Sequence, residues 1–227
     1  MNLTESYRDC FSPEVLARYQ FAETRNAARI LAVTNGAAFG QLQDVLHRFE
    51  LRTDDLLKPG GQESDLAARL SRMFRDCGWR EARVDTLIRL SLQLTPLPGI
   101  GEARRKPIIT ETVNKGYKVD NFRDRIALDV EWNAKDGNLD RDIGAYRALY
   151  DAALIDGGVL VTRTLDLRNL GRDLAKEAGV PEAQAKRILN TTTTTNSEKL
   201  LPRLTRGDAG GCPILAVFIA RETHVPD

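Results

Sequence analysis

The residues best equipped for chemistry are three carboxylates within a short span, Asp120, Asp129 and Glu131. Read as a hairpin turning at Asp124-Arg125, the segment 118–132 sets Arg123 opposite Ile126 and, counting back, Asp120 opposite Asp129. Glu131 shares their face, because residues two apart on a strand point the same way and lie roughly 6.6 Å apart. Like charges directly opposite each other destabilise a sheet, so the arrangement calls for a compensating cation. An all-oxygen set suits Mg²⁺, which binds through one or two carboxylates and keeps waters and phosphate oxygens as its other ligands. That ion lowers the pKa of a bound water and offsets charge developing on phosphorus, which is the equipment for phosphodiester hydrolysis. The same pattern also fits an exposed strand face whose acids pair with Arg123, Arg125 or Lys135.

The elements that must position these acids follow from hydrophobic period. Ile126, Leu128, Val130 and Trp132 alternate with Ala127, Asp129, Glu131 and Asn133, a strand with one apolar and one acidic face. After Gly137-Asn138, residues 139–155 read as a helix with Ile143, Tyr146, Leu149 and Tyr150 turned to a core. Gly157-Gly158 ends it, and a short buried strand at 159–162 follows, so the sheet is at least partly parallel. A helix at 181–189 and a late strand at 213–220 complete this half. The first third is helical in pattern. Ser12-Pro13-Glu14 caps a helix carrying Val15, Leu16, Tyr19 and Ala22, a second starts near Phe39, Gly60-Gly61 interrupts the chain, and a third carries Leu66, Leu70, Met73 and Phe74.

With 227 residues, 42% hydrophobic and 29% charged, the chain has material for a sizeable core, and we expect one domain over 1–227. Its helical part spans about 1–95 and its catalytic sheet core about 105–220. The 33 Lys and Arg nearly balance the 32 Asp and Glu, giving +1 and excluding a polybasic protein that holds its partner by bulk charge. The longest strongly apolar stretch, 212–220, is far short of the roughly 20 residues that span a bilayer. The N-terminus lacks the pattern of a secretory signal, so a cytoplasmic protein is expected. Cys10, Cys77 and Cys212 are widely spaced and odd in number, which suggests neither a disulfide framework nor a thiolate zinc site.

The run Lys118-Val119-Asp120, eight residues, Asp129-Val130-Glu131-Trp132-Asn133-Ala134-Lys135-Asp136 and then Leu139-Asp140-Arg141-Asp142 resembles the active-site region of the BglII-type restriction endonucleases, within the PD-(D/E)xK nuclease superfamily. Glu198-Lys199-Leu200-Leu201-Pro202-Arg203 and Gly210-Gly211-Cys212-Pro213-Ile214-Leu215 are similar to a second stretch of that group. The resemblance implies an α/β restriction-endonuclease-like fold, a mixed β-sheet flanked by helices. It also implies a homodimer, Mg²⁺ dependence and cleavage of double-stranded DNA at a short palindrome, often with a GATC core. Asp120 and Asp129 match the two metal-binding acids, and Glu131 falls where the superfamily most often has lysine. The chain departs from the pattern with Asp for Glu at 129 and with an acid at 131, as in the BamHI-like enzymes. Glu131 is then a ligand through water or a general base. Asn133, Lys135, Arg163, Ser197 and Lys199 are the candidate DNA contacts.

Other signals have bland alternatives. Leu97-Pro98-Gly99-Ile100-Gly101 fits a helix-hairpin-helix turn or an ordinary loop, and Pro107 disfavours the former. Lys135 could reach DNA or pair with Asp136 or Asp140. Segment 190–199 could supply groove hydrogen bonds or be a solvated loop, and Arg203 and Arg206 are phosphate contacts or surface arginines. His47 and His224 have no nucleophile setting. A DNA-binding module that kept the nuclease fold without catalysis, and a hydrolase of small phosphoesters, are the competing functions.

Overall fold

A computed structural model describes residues 1–57, 65–189 and 193–226. The Gly60-Gly61 break and residues 190–192 lie outside the described residues. The first part runs α1 (Tyr7–Cys10), α2 (Pro13–Arg18), β1 (Tyr19–Glu23), α3 (Ala27–Thr34), α4 (Gly36–Arg48), α5 (Thr53–Leu57) and α6 (Asp65–Asp76). It continues through β2 (Arg80–Leu92), β3 (Ile108–Arg123), β4 (Ile126–Val130), α7 (Gly137–Asp151) and β5 (Gly157–Arg163). The last part is α8 (Leu167–Glu177), α9 (Glu182–Ala185), α10 (Ser197–Arg206) and β6 (Ile214–Ile219). The strands form a mixed sheet in the order β1-β6-β5-β4-β3-β2. β4, β5 and β6 are parallel, and β1 and β3 flank them antiparallel. This is the α/β mixed-sheet architecture that the resemblance implies, with the partly parallel sheet that the strand and helix patterns call for.

Two compact units make up the chain, residues 1–81 with 119–227, and residues 82–118. In the larger unit one sheet face packs Ile126, Leu128, Val130, Val159, Val161, Leu215 and Val217 into a core shared with Leu42, Leu46, Leu70, Phe74 and Trp79 of the helical part. α6 lies against β4, and α3 against β5 and β6. α7 lies against β5. Ala127, Asp129 and Gly158 are buried like the apolar strand residues around them, so the acidic face is covered at β4 and β5, whereas Asp120 on β3 is exposed. The smaller unit is the outer stretch of the β2–β3 hairpin with its connection 93–107. Ile88, Leu90 and Leu92 on β2 are 43%, 63% and 57% exposed, so this strand has no core of its own. The motif at 97–101 joins two strands and is therefore a loop, with no helix on either side.

Several elements differ from the sequence expectation. The first helix stops at Arg18, and Tyr19 and Ala22 lie on β1, where Tyr19 pairs with Ile219 and Ala22 with Ala216. A five-residue strand at a sheet edge answers to a remote partner, so its apolar residues imitate helical spacing. α3 and α8 were not resolved from their neighbours by pattern, α4 starts at Gly36, and the helix expected at 181–189 is regular only over Glu182–Ala185. Strand β2 occupies part of the stretch read as helical. The three thiols are free, with Cys212 buried and the others half-buried. No helix among the described residues is long and apolar enough to cross a membrane.

Helix α7 seats on β5 because Gly158 leaves room for the Tyr146 ring; a Cβ built there would overlap it. Gly158→Ala should therefore displace Tyr146 and lower unfolding stability by about 1–3 kcal/mol, as overpacking does. Denaturant unfolding checks this, and an unchanged midpoint would show that the contact is slack.

Candidate active site

The hairpin register places the acids. Asn121 faces Leu128, Phe122 faces Ala127 and Arg123 faces Ile126, so the next pair outward is Asp120 and Asp129. Asp124 takes a positive φ of 51°, the left-handed conformation that a tight two-residue turn demands. Beyond the ladder the Asp129 carboxylate bridges to the neighbouring strand, with its Oδ1 accepting from the Asp120 N–H at 2.8 Å. Its Oδ2 accepts from Tyr146 Oη at 2.6 Å. Glu131 continues the line. Its N–H donates to Val161 O at 2.8 Å, and its carbonyl accepts from Thr162 Oγ1 and Thr195 Oγ1, each at 2.8 Å.

The covering helix adds a fourth acid. Asp142 stands one turn before Tyr146 on α7, and residues four apart share a helix face. One turn rises about 5.4 Å, close to the two-residue step between Asp129 and Glu131 on β4, so the two pairs match along the interface. Asp142 is 2% exposed, and among the described residues its Oδ2 has no hydrogen-bond partner. Arg141, largely exposed, reaches Asp142 Oδ1 at 2.8 Å and Glu131 Oε1 at 3.4 Å, while Asn138 Nδ2 donates to Glu131 Oε2 at 3.3 Å. The arginines that could have neutralised an exposed acidic strand are committed elsewhere. Arg125 pairs with Asp156 at 2.8 Å, and Arg123 donates to Cys77 O. Lys135 forms no ion pair with the acids among the described residues.

Burial dominates the electrostatics. It pushes the Asp129 carboxyl up to about 7, with the Asp142 charge adding to the shift and the Asp120 N–H and Tyr146 hydroxyl opposing it. Burial also raises Glu131, again reinforced by Asp142, against the pull of Asn138 and Arg141. Among the described residues no three His, Cys, Asp or Glu side chains form a ready-made metal cage. The donor chemistry nevertheless fits a hard divalent cation that needs only one or two carboxylates, and a buried carboxylate oxygen without a partner on the same face is the kind of group such an ion satisfies.

The candidate DNA contacts are placed unevenly. Two sequence-distant stretches are laid side by side: Thr195 N–H donates to Ala134 O at 2.9 Å, Asp136 N–H to Thr193 O at 2.9 Å, and Lys135 bridges to Thr194. Asn133, at a positive φ of 55°, accepts from Arg163 Nε at 3.3 Å. Arg163 is fully buried and also donates to Thr194 Oγ1 at 3.3 Å. Its guanidinium therefore faces this junction and not solvent, and burial lowers its pKa to about 10. Lys135 is exposed, and Lys199 lies 3.9 Å from Asp136 Oδ2. Ser197 opens α10 and lines a separate shallow cavity with Gln20, Asp166 and Asn169. Segment 193–199 is a helix entrance with Thr195 and Asn196 buried, and Asn196 caps the helix through Lys199 N–H. Arg203 forms a two-bond pair with Asp140 at 2.7 Å, and Arg206 pairs with Asp208 at 2.7 Å. Among the residues that sequence reasoning missed, Asp142 is the chief one. Its signals were its place in the family-like run 139–142 and its position four residues ahead of the core-facing Tyr146.

A family model described as restriction endonuclease BglII/BglIII matches residues 19–219, most of the chain. A comparison with curated proteins finds no match.

The raised carboxyls have a measurable consequence. A group that binds its proton more tightly when folded stabilises the protein below its ordinary pKa and loses that contribution as pH rises through its folded value. In metal-free buffer the thermal midpoint should fall as pH climbs from about 4 towards 7, the window set by Asp129, and continue to fall as Glu131 ionises. Asp142→Asn should flatten that slope. A midpoint that rises over the same interval would show that these carboxyls are stabilised as anions.

Proposed function

The chain belongs to the BglII/BglIII restriction endonuclease family and is thus a nuclease whose partner is double-stranded DNA; from this premise we propose a type II enzyme that cuts at a short palindrome, as a Mg²⁺-dependent homodimer in the cytoplasm. The observation that carries the metal-dependent reading is the opposition of Asp120 and Asp129 on a face with the buried, unpartnered Asp142 Oδ2. A DNA palindrome has a twofold axis, and a symmetric dimer presents one strand-cutting site to each strand. A palindrome with a GATC core is the first substrate to test.

Asp120 and Asp129 are the residues to hold Mg²⁺, which when bound acidifies a coordinated water and offsets charge on the scissile phosphate. Tyr146 fixes the Asp129 rotamer by its hydroxyl, and the two-strand hairpin fixes the backbone of both acids. Glu131, its carbonyl gripped by Thr162 and Thr195, is placed to serve as a metal ligand through water or as the base for the attacking water. Lys135 and Lys199 are the exposed and half-exposed DNA contacts, with Asn133 held at the same junction. Arg163 acts through Asn133 as a positioning residue, and Ser197 contributes from the start of α10.

Asp120→Ala and Asp129→Ala should each lower the rate of duplex cleavage in Mg²⁺ by roughly 100-fold or more, in line with the loss of one charge-stabilising group, while duplex binding persists. Plasmid digestion with gel-shift binding measures both. Cleavage at wild-type rates by both variants would remove this site from the reaction. Sedimentation equilibrium should give a mass twice 25.3 kDa. A monomer both with and without cognate duplex would contradict the dimer.

A further inference from the structure

The near-zero net charge conceals a division between the two units. Residues 82–118 carry seven lysines and arginines against Asp85, Glu102 and Glu111, a net charge of +4, which leaves −3 for the rest of a chain whose total is +1. A net-negative body that acts on a polyanion gains nothing from bulk attraction, so the hairpin holds the chain's whole positive surplus. That surplus is not neutralised locally. Each of the three acids is already engaged by an arginine, Arg83 with Asp85 at 3.0 Å, Arg89 with Glu111 at 3.4 Å and Arg105 with Glu102 at 3.2 Å. Arg104, Lys106 and Lys115 form no ion pair among the described residues, and all three are exposed.

The position of these cations within the hairpin is also informative. Arg104 and Lys106 lie in the connection between the strands, at the end of β3 remote from Asp120. The stretch of β3 from Ile108 to Lys118 spans about 34 Å at the usual rise per residue, which is close to one turn of duplex. The loop is held in shape by Glu102, which accepts from the Leu97 N–H at 3.1 Å while it binds Arg105. Two lysines and an arginine on such an arm present charge without a base-reading geometry, which is the chemistry of phosphate contact and not of sequence selection.

We propose that the hairpin 82–118 is an arm that grips the phosphate backbone of duplex DNA, with Arg104, Lys106 and Lys115 as its contacts; the inference rests on the reading of the chain as a DNA nuclease. The arm supplies sequence-independent affinity, and the acids of the larger unit supply the chemistry. The test is the full-length triple variant Arg104→Ala, Lys106→Ala, Lys115→Ala, titrated by fluorescence anisotropy with a short duplex of arbitrary sequence over a range of salt. Three lost phosphate contacts should lower the slope of log affinity against log salt by about 2–3, near 0.9 for each contact. The charge-conserving exchange Arg104→Lys, Lys106→Arg, Lys115→Arg should keep the wild-type slope, and thermal midpoints check that both variants are folded. A triple-alanine slope equal to wild type overturns the arm, including the case in which the hairpin serves a second copy of the chain. Failure of the wild-type protein itself to bind duplex DNA would instead overturn the nuclease reading on which the arm depends.

Discussion

The structure depends on the packing of helix α7 over the acidic side of the sheet. A sheet face bearing Asp129 and Glu131 would ordinarily turn to water, where acids two residues apart cost little. Here Gly158 admits the Tyr146 ring, the helix closes over the face, and the acids lose their solvent. Every later feature of the site follows from that loss. Tyr146 donates to Asp129, the threonines take the Glu131 carbonyl, and Asp142 keeps a buried oxygen without a hydrogen-bond partner among the described residues. Desolvation of paired like charges is costly; Arg141, Asn138 and Tyr146 offset part of it, and a bound proton or a metal cation would offset more.

The same constraint explains why one edge is open. Asp120 is on the exposed part of β3, whereas Asp129, opposite it, is nearly sealed. Along that edge one carboxylate is exposed and the other is held by the Tyr146 hydroxyl and the Asp120 N–H. Preorganisation of the inner acid reduces reorganisation at the moment of reaction, which is the larger part of electrostatic catalysis. The charge division between the units complements the acidity of this face. The positive surplus is carried by the hairpin 82–118.

What could be read from the sequence divides along physical lines. The hairpin register was legible because a two-residue turn and a period of two leave one pairing that sets Arg123 against Ile126, and a one-residue slip would have turned every side chain over. The parallel neighbour at β5 and the late strand β6 were legible from buried apolar runs bounded by glycine or proline. β1 was not, since a short strand paired to residues almost two hundred positions away has no local pattern to distinguish it from the end of a helix. The acidity of the strand was plain, but its burial was not, because burial belongs to the partner helix and depends on the ring of Tyr146 fitting over Gly158. Arg163 reads as a basic residue at a strand end, and only the fold turns it inward to Asn133 and Thr194. Asp142 was visible as a letter in a family-like stretch, yet its part in the site needed the helix-to-strand match that only tertiary structure provides.

The central claim, that the covered acidic face is built around a divalent cation, is tested most directly by anomalous diffraction from crystals grown with Mn²⁺, a Mg²⁺ substitute with similar oxygen preference. The account predicts an anomalous peak bounded by the Asp120 and Asp129 carboxylates on the α7 side of the sheet, lost in crystals of Asp129→Ala. Mn²⁺ bound elsewhere on the protein, with Asp129 still held by Tyr146 and the Asp120 N–H and no peak on that face, would contradict it.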